Sequence, residues 1–138
     1  MPLTLTLTVG VLSPGLEKVA FRRLGEAMLR WTGATSSRFL APNVVGSVHV
    51  LEPGQTFAGG EEGPVVFIEW KLPPVAFLDR DVQTGYVAEA TQIVHELSGG
   101  QHPKERIWVN VLHAVDGSWG IAGHAYTGVE LEAAIAQG

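Results

Sequence analysis

The fold is decided by the stretch Pro2-Leu3-Thr4-Leu5-Thr6-Leu7-Thr8-Val9, in which apolar side chains alternate strictly with threonines. This period-two pattern, made from residue types that suit extended backbone, predicts a strand with one buried face. Ser13 and Pro14 then predict the N-terminal cap and first turn of a helix, whose apolar residues recur at helical spacing as far as Gly33. A second strand is predicted at residues 44–51. The first part of the chain is therefore predicted to be a β-α-β unit.

The same order of elements recurs further along the chain. Residues 52–63 are rich in glycine and proline, which predicts a linker or loop that is neither strand nor helix. A strand is predicted at 65–71, a helix capped by Asp79 or Asp81 that ends before Gly99, and a strand at 107–113. An offset of 62 residues separates Pro2 from Pro64, which indicates an internal duplication.

Two such units predict a single domain of the α/β (α+β) class over residues 1–138. The repeat units span about 1–52 and 64–114, with the linker at 52–63 and a C-terminal arm at 115–138 that contains a turn and a short hairpin at 119–126. Right-handed crossovers give one four-stranded mixed sheet with both helices on one face. Apolar residues beyond those that the helices can cover predict that the other face packs against a sheet of a second copy; they include Val44, Val48, Ile107 and Val109.

The composition excludes several classes of protein. The net charge of −5 at pH 7 gives no basic surface, so nucleic acid and anionic membranes are poor partners. The absence of cysteine excludes disulfides, thiolate metal sites and cysteine nucleophiles. The five histidines have no metal-ligand spacing, and the glycine pairs form no phosphate-binding motif, so we expect neither a metal nor a cofactor. Without a signal peptide or a long apolar run, the chain is expected to be soluble and cytoplasmic.

Two local features carry a resemblance to a known family. Pro2 directly follows Met1 and opens a strand of the repeated β-α-β unit, and residues 115–123, Val-Asp-Gly-Ser-Trp-Gly-Ile-Ala-Gly, look like a turn and arm of that family. In these respects the chain resembles the tautomerase superfamily, which includes oxalocrotonate tautomerase, macrophage migration inhibitory factor and malonate semialdehyde decarboxylase. The resemblance implies a homotrimer whose three sheets form a central barrel. It also implies an enzyme that acts on a small carbonyl or keto acid.

The chemistry expected at Pro2 depends on the loss of Met1. An aminopeptidase removes methionine before a small second residue, which would leave Pro2 with a free secondary amine. Such an amine can take a proton alpha to a carbonyl as a general base and return it as an acid. The expected reaction is keto-enol tautomerisation, with decarboxylation or hydration as related outcomes. The alternative is a catalytically silent trimeric binding protein of the same fold, which retention of Met1 would favour.

Four further residues are candidates for binding the substrate. The resemblance implies an arginine pair after the third strand, but the chain has Lys71 there, followed by Leu72-Pro73-Pro74. Lys71 and Arg38, in the loop after the first helix, are candidate contacts for a carboxylate, although both could be ordinary surface residues. By the same resemblance, Trp108 would form a pocket wall from a neighbouring subunit and Asn110 would donate to a carbonyl or enolate oxygen. Trp108 could also belong to the barrel core, and His113 could assist proton transfer or simply be solvated.

Overall fold

The computed structural model describes all 138 residues and contains one central sheet with three helices. The two long helices are α1 (Leu16–Trp31) and α2 (Arg80–Leu97), and a third, α3, is at Gly128–Gln137. The strands are β1 (Pro2–Thr8), β2 (Val45–Leu51), β3 (Phe57–Ala58), β4 (Glu61–Glu62), β5 (Val66–Leu72), β6 (Ile107–His113), β7 (Trp119–Ile121) and β8 (His124–Tyr126).

Four of these strands form the central sheet in the order β2-β1-β5-β6. β1 pairs with β2 and β5 pairs with β6 in parallel, whereas β1 and β5, the first strands of the two units, are antiparallel. The predicted fold class, a four-stranded mixed sheet built from a repeated β-α-β unit with a C-terminal hairpin, is confirmed. The antiparallel central pair places the start of β1 beside the end of β5, and this end of the sheet holds the candidate site.

The helices cover one face of the sheet, as predicted. Leu3, Leu5 and Leu7 of β1 are completely or almost completely buried under α1 and α2 and belong to one core that draws on both units. A buried hydrogen-bond chain also joins sheet to helices, because Trp70 Nε1 donates to the Tyr86 hydroxyl at 2.6 Å and that hydroxyl donates to the Leu24 carbonyl at 3.2 Å.

The four apolar residues that were predicted to lie on the uncovered face of the sheet do not lie there, so this part of the prediction is wrong. Val44, Val48 and Val109 pack against the helix-covered core, and Ile107 is buried within it. They lie on that side because Val48 is paired with Leu5, and Val109 with Ile68, on the face that the helices cover. The open face instead carries rows of polar side chains together with the exposed apolar side chains of Val45 and Leu112.

The open face combines this polar character with one aromatic contact. Thr4, Glu69 and Asn110 are neighbours across three adjacent strands, and none of them is buried. Next to them Phe67 contacts Trp108, with the ring centroids 5.7 Å apart. No element of the chain covers this face, so any cover would have to come from another copy or another molecule.

Two local predictions are wrong: the start of α1 and the absence of regular structure in residues 52–63. α1 begins after Gly15, whose φ of 94° requires a residue without a side chain, and not at Ser13. Ser13 contributes its carbonyl, which accepts from the Leu16 amide at 3.0 Å, so it does not act as a side-chain cap. In the predicted linker, a 3₁₀ turn and the hairpin β3–β4 form; buried Thr56 ties this segment to the core by accepting from the Thr8 hydroxyl at 2.9 Å.

The C-terminal arm contains a helix that the sequence interpretation missed. α3 begins at a capping box, in which the Thr127 hydroxyl accepts from the Glu130 amide and the Glu130 carboxylate accepts from the Thr127 amide. The Asp116 carboxylate accepts from the Gly128 amide at 2.6 Å, and Leu131 is fully buried, so the helix is held against the domain. The predicted hairpin before it is confirmed as β7–β8, and Asp79 is confirmed as the cap of α2. None of the three helices combines the length and apolar character that a membrane crossing needs.

Candidate active site

A cavity of about 440 Å³ lies at the end of the sheet where β1 and β2 begin and β5 and β6 end. Pro2 and Val45, the first residues of β1 and β2, line it together with Lys71 near the end of β5. The pairing of Leu3 with Trp70 sets Pro2 directly opposite Lys71. Residues so placed have their Cβ atoms roughly 5 Å apart. The structure therefore brings two of the sequence-predicted site residues together.

Met1 occupies the space next to Pro2 and is itself only 3% exposed. Its α-amine donates to the Asn43 carbonyl, and its own carbonyl accepts from the Val45 amide at 3.3 Å. Burial lowers the pKa of this amine from 8.0 to about 6. While Met1 is attached, the Pro2 nitrogen is part of a peptide bond and has no basic lone pair. Removal of Met1 would free an amine on Pro2, the Val45 N–H and the Asn43 carbonyl in the same place.

Lys71 is the only lysine or arginine that lines the cavity. Its side chain is exposed and forms no ion pair within the chain. The flexible ammonium group can therefore turn toward an anion in the cavity, where it acts as a point charge without the bidentate geometry of arginine.

His113 pairs with Leu72 at the end of β6 and also lines the cavity. Its Nε2 is 2.7 Å from the Ala76 carbonyl oxygen, which can only accept, so Nε2 carries a proton. The ring is thereby held between β6 and the loop that leads to α2. His113 therefore lies in the cavity, and a role in proton transfer stays a prediction.

The remaining wall comes from the turn and hairpin that follow β6. Trp119 and Ile121 contribute apolar surface, and Ser118 donates its hydroxyl to the Val115 carbonyl at 2.5 Å. None of these residues was predicted to belong to the site, although they lie within the stretch 115–123 on which the family resemblance rests. Asn43 was also missed, and no sequence signal distinguishes it, since its role at the site comes from its backbone carbonyl.

Three predicted contacts do not line this cavity within a single chain. Arg38 follows α1, and its side chain forms no hydrogen bond or ion pair; only its backbone N–H donates, to the Gly138 carbonyl at 3.0 Å. Trp108 and Asn110 lie on the open face of β6, an edge strand of the sheet. Both had been expected to act from a neighbouring subunit, and that remains a prediction.

A second cavity, of about 680 Å³, lies on the other side of Met1. It is formed by the end of α1, the loop before α2 and the C-terminal part of α3, and its apolar lining includes Leu40, Val75, Phe77, Val82 and Ile135. Met1 is the one residue that lines both cavities. No three histidine, aspartate or glutamate side chains lie close enough together to hold a metal ion.

Comparisons with known proteins identify the fold but no close relative. No family model matches the sequence, and no curated protein matches it. Among solved structures, Pt0534 inactivated by 2-oxo-3-pentynoate superposes with a TM-score of 0.76 at 19% identity, covering 95% of this chain and 98% of that one. N1, a member of the cis-3-chloroacrylic acid dehalogenase family, gives 0.73 at 18% identity, covering 96% and 89%. The Q0 fused 4-OT symmetric trimer gives 0.77 at 13% identity, covering 95% and 98%.

Proposed function

We propose that this chain, whose fold is that of the tautomerase superfamily, is an enzyme that moves a proton on a small carbonyl acid, with Pro2 as its base once Met1 has been removed. The observation that carries the proposal is the position of Pro2 directly opposite Lys71, the one lysine or arginine of the cavity. The inhibitor named with Pt0534 is a 2-oxo acid, which supports a carbonyl acid as the class of substrate.

The proposed reaction begins with a neutral amine. Desolvation lowers the pKa of the Met1 amine to about 6, and the same environment would favour the neutral form of an amine on Pro2 at pH 7. Because the Pro2 nitrogen is bonded to the Met1 carbonyl carbon in the full chain, its lone pair points into the space that Met1 leaves. The amine takes a proton from the carbon alpha to the carbonyl, and the resulting ammonium returns it to the enolate at another atom.

Two groups stabilise the charges of this reaction. Lys71 binds the carboxylate and thereby orients the acid toward Pro2. The Val45 N–H, which donates to the Met1 carbonyl in the full chain, donates to the enolate oxygen in its place. A backbone donor on a paired strand is fixed in position before the reaction, which is the property that makes such donors effective.

We also propose that the functional unit is a homotrimer. The Q0 fused 4-OT is named as a symmetric trimer, and the open face of this sheet has no cover within the chain. In such an assembly, Trp108 and Asn110 of one copy would approach the cavity of another and add an aromatic wall and an amide donor. The mass of the particle in solution, measured by light scattering, tests this arrangement.

The proposal is tested in two steps. Intact-mass measurement of the protein purified from its own host should show that Met1 is absent, and its persistence would exclude Pro2 as the base. Ketonisation of phenylpyruvate enol is then followed with the Met1-free wild type and with Pro2→Ala. Loss of a positioned general base should lower kcat about 100-fold or more. Pro64→Ala is the matched control, because Pro64 precedes the equivalent strand of the second unit; equal rates in all three proteins would refute the proposal.

One observation favours a second candidate function. Both polar backbone groups of Met1 are hydrogen-bonded and its side chain is buried, an arrangement that suits a residue that stays in place. A chain that keeps Met1 would be a non-enzymatic binding protein of the same fold. The mass measurement separates the two functions.

A further inference from the structure

Met1 is the one residue that lines both cavities, so the space that it fills adjoins each of them. The first holds Pro2 and Lys71, and the second lies behind Met1 against α1 and α3. We infer that the substrate is a monocarboxylate with an unbranched apolar chain, which binds its carboxylate at Lys71 and extends its chain through the place of Met1 into the second cavity. This inference rests on the proposed function, because it requires the loss of Met1.

The Met1 side chain shows what fits this space. It is an unbranched apolar chain, it is 97% buried, and it belongs to the main hydrophobic core. A linear alkyl chain has the same width and the same preference for an apolar surrounding. The Met1 carbonyl carbon is bonded to the Pro2 nitrogen, so a ligand atom near that nitrogen lies at the entrance of this space. The apolar chain of a bound acid would therefore lead away from the reacting carbon along the path that the methionine takes.

The second cavity suits an uncharged chain end. Its walls include the apolar side chains of Leu40, Phe77 and Ile135. Its charged side chains are Asp79 and Glu132, both acidic, and it contains no lysine, arginine or histidine. A second carboxylate placed there would meet like charges without a cation to pair with. The cavity therefore favours acids with one carboxylate over acids with two.

The test measures binding, so it does not depend on turnover. The Met1-free chain, made by co-expression with methionine aminopeptidase and checked by mass, is titrated with butanoate, hexanoate, octanoate and hexanedioate in a calorimeter. Each methylene added between butanoate and octanoate should lower the dissociation constant about fourfold, because that methylene becomes buried. Hexanedioate should bind at least tenfold more weakly than hexanoate. The same chain made with the aminopeptidase inhibited, so that Met1 is retained, should show no dependence on length.

Two variants of α2 locate the bound chain. Val82→Phe adds bulk to the lining of the second cavity and should weaken octanoate about tenfold while leaving butanoate unchanged. Val87→Phe is the matched control, because Val87 is an exposed residue of the same helix and does not line that cavity. Its affinity for both acids should equal that of the wild type.

The inference is overturned if affinity does not rise with chain length, if Met1-containing protein shows the same rise, or if hexanedioate binds as well as hexanoate. An equal effect of the two valine variants would also overturn it. Met1-free Pro2→Ala distinguishes this failure from failure of the proposed function. That variant should keep the dependence on chain length, whereas only its rate of proton transfer reports on Pro2 as a base.

Discussion

Removal of Met1 should destabilise the protein by about 2–3 kcal/mol while it creates the proposed catalyst. The Met1 side chain is almost completely buried in a core cluster of 19 residues. Truncation of a buried methionine costs about 2–5 kcal/mol. The lower part of this range applies here, because both adjoining cavities open to solvent and water can enter the space. Water can likewise satisfy the Val45 N–H and the Asn43 carbonyl, which lose their bonds to Met1.

Urea unfolding followed by tryptophan fluorescence measures this difference. For a small domain the free energy falls by about 1–3 kcal/mol per molar urea, so the midpoint of the Met1-free form should lie about 1 M lower. Both forms must be compared at one protein concentration, because assembly adds concentration-dependent stability. The less stable form should be the one that ketonises phenylpyruvate enol.

A shared midpoint would refute the packing of Met1 described above, since a side chain held in the core cannot be removed without cost. A higher midpoint for the Met1-free form would refute this packing more strongly. Activity confined to the Met1-containing form would refute the chemistry assigned to Pro2, whatever the midpoints show. Stability and activity therefore test separate parts of the same interpretation.

Three other perturbations have defined outcomes. Lys71→Ala should raise KM for a carboxylate substrate about tenfold through the loss of a charge-assisted hydrogen bond, and should leave an uncharged carbonyl substrate unaffected in steady-state kinetics. Tyr86→Phe should lower the free energy of unfolding by about 1–3 kcal/mol in urea titrations, because the Trp70 indole N–H and the Leu24 carbonyl lose their buried partner. Since burial lowers the pKa of the Met1 amine from 8.0 to about 6, the unfolded chain binds more protons between these values, so Met1-containing protein should become less stable as the pH falls from 8 to 6.

Each of these has a control and a contradicting result. Lys104→Ala changes a surface lysine outside the candidate site, and an equal effect of Lys71→Ala on charged and uncharged substrates would remove Lys71 from it. Tyr126→Phe removes a hydroxyl that makes no hydrogen bond within the chain, and it should be nearly neutral; an equally small effect of Tyr86→Phe would contradict the buried network. For the pH effect, a midpoint in ¹⁵N-methionine NMR near pH 8 would show that the Met1 amine is not desolvated.

Strong periodicity made the central sheet predictable. The alternation in β1 requires one face to be buried, and the four sheet strands begin and end within about one residue of their predicted positions. The start of α1 was missed because it depends on backbone conformation. The Ser13 carbonyl accepts from the Leu16 amide, and Gly15 adopts a left-handed conformation. α3 was missed even though Thr127 and Glu130 form a capping box, which is the signal that could have located it.

The candidate site was predictable only where it follows from strand ends. Pro2 and Lys71 lie at the start and the end of neighbouring antiparallel strands, so topology alone brings them together. The second cavity could not be inferred in this way, because its walls come from separate segments whose contact depends on how α3 packs. The role of Met1 was also hidden, since neither its burial nor its contact with both cavities can be inferred from the sequence.

The duplication raises the question of why only one end of the sheet would be active. The antiparallel pairing that sets Pro2 opposite Lys71 also sets Pro64 opposite Val9, by the continuation of the Leu7–Val66 pair. The side chain opposite Pro64 is therefore apolar, although the Arg106 guanidinium lies close to the neighbouring Gly63. The proline nitrogen there lies within a peptide bond whatever happens to Met1, and the adjoining Val65 amide is occupied by the Thr8 hydroxyl at 2.9 Å. The two units thus share a framework, but a proline amine can become free only at the end that Met1 occupies.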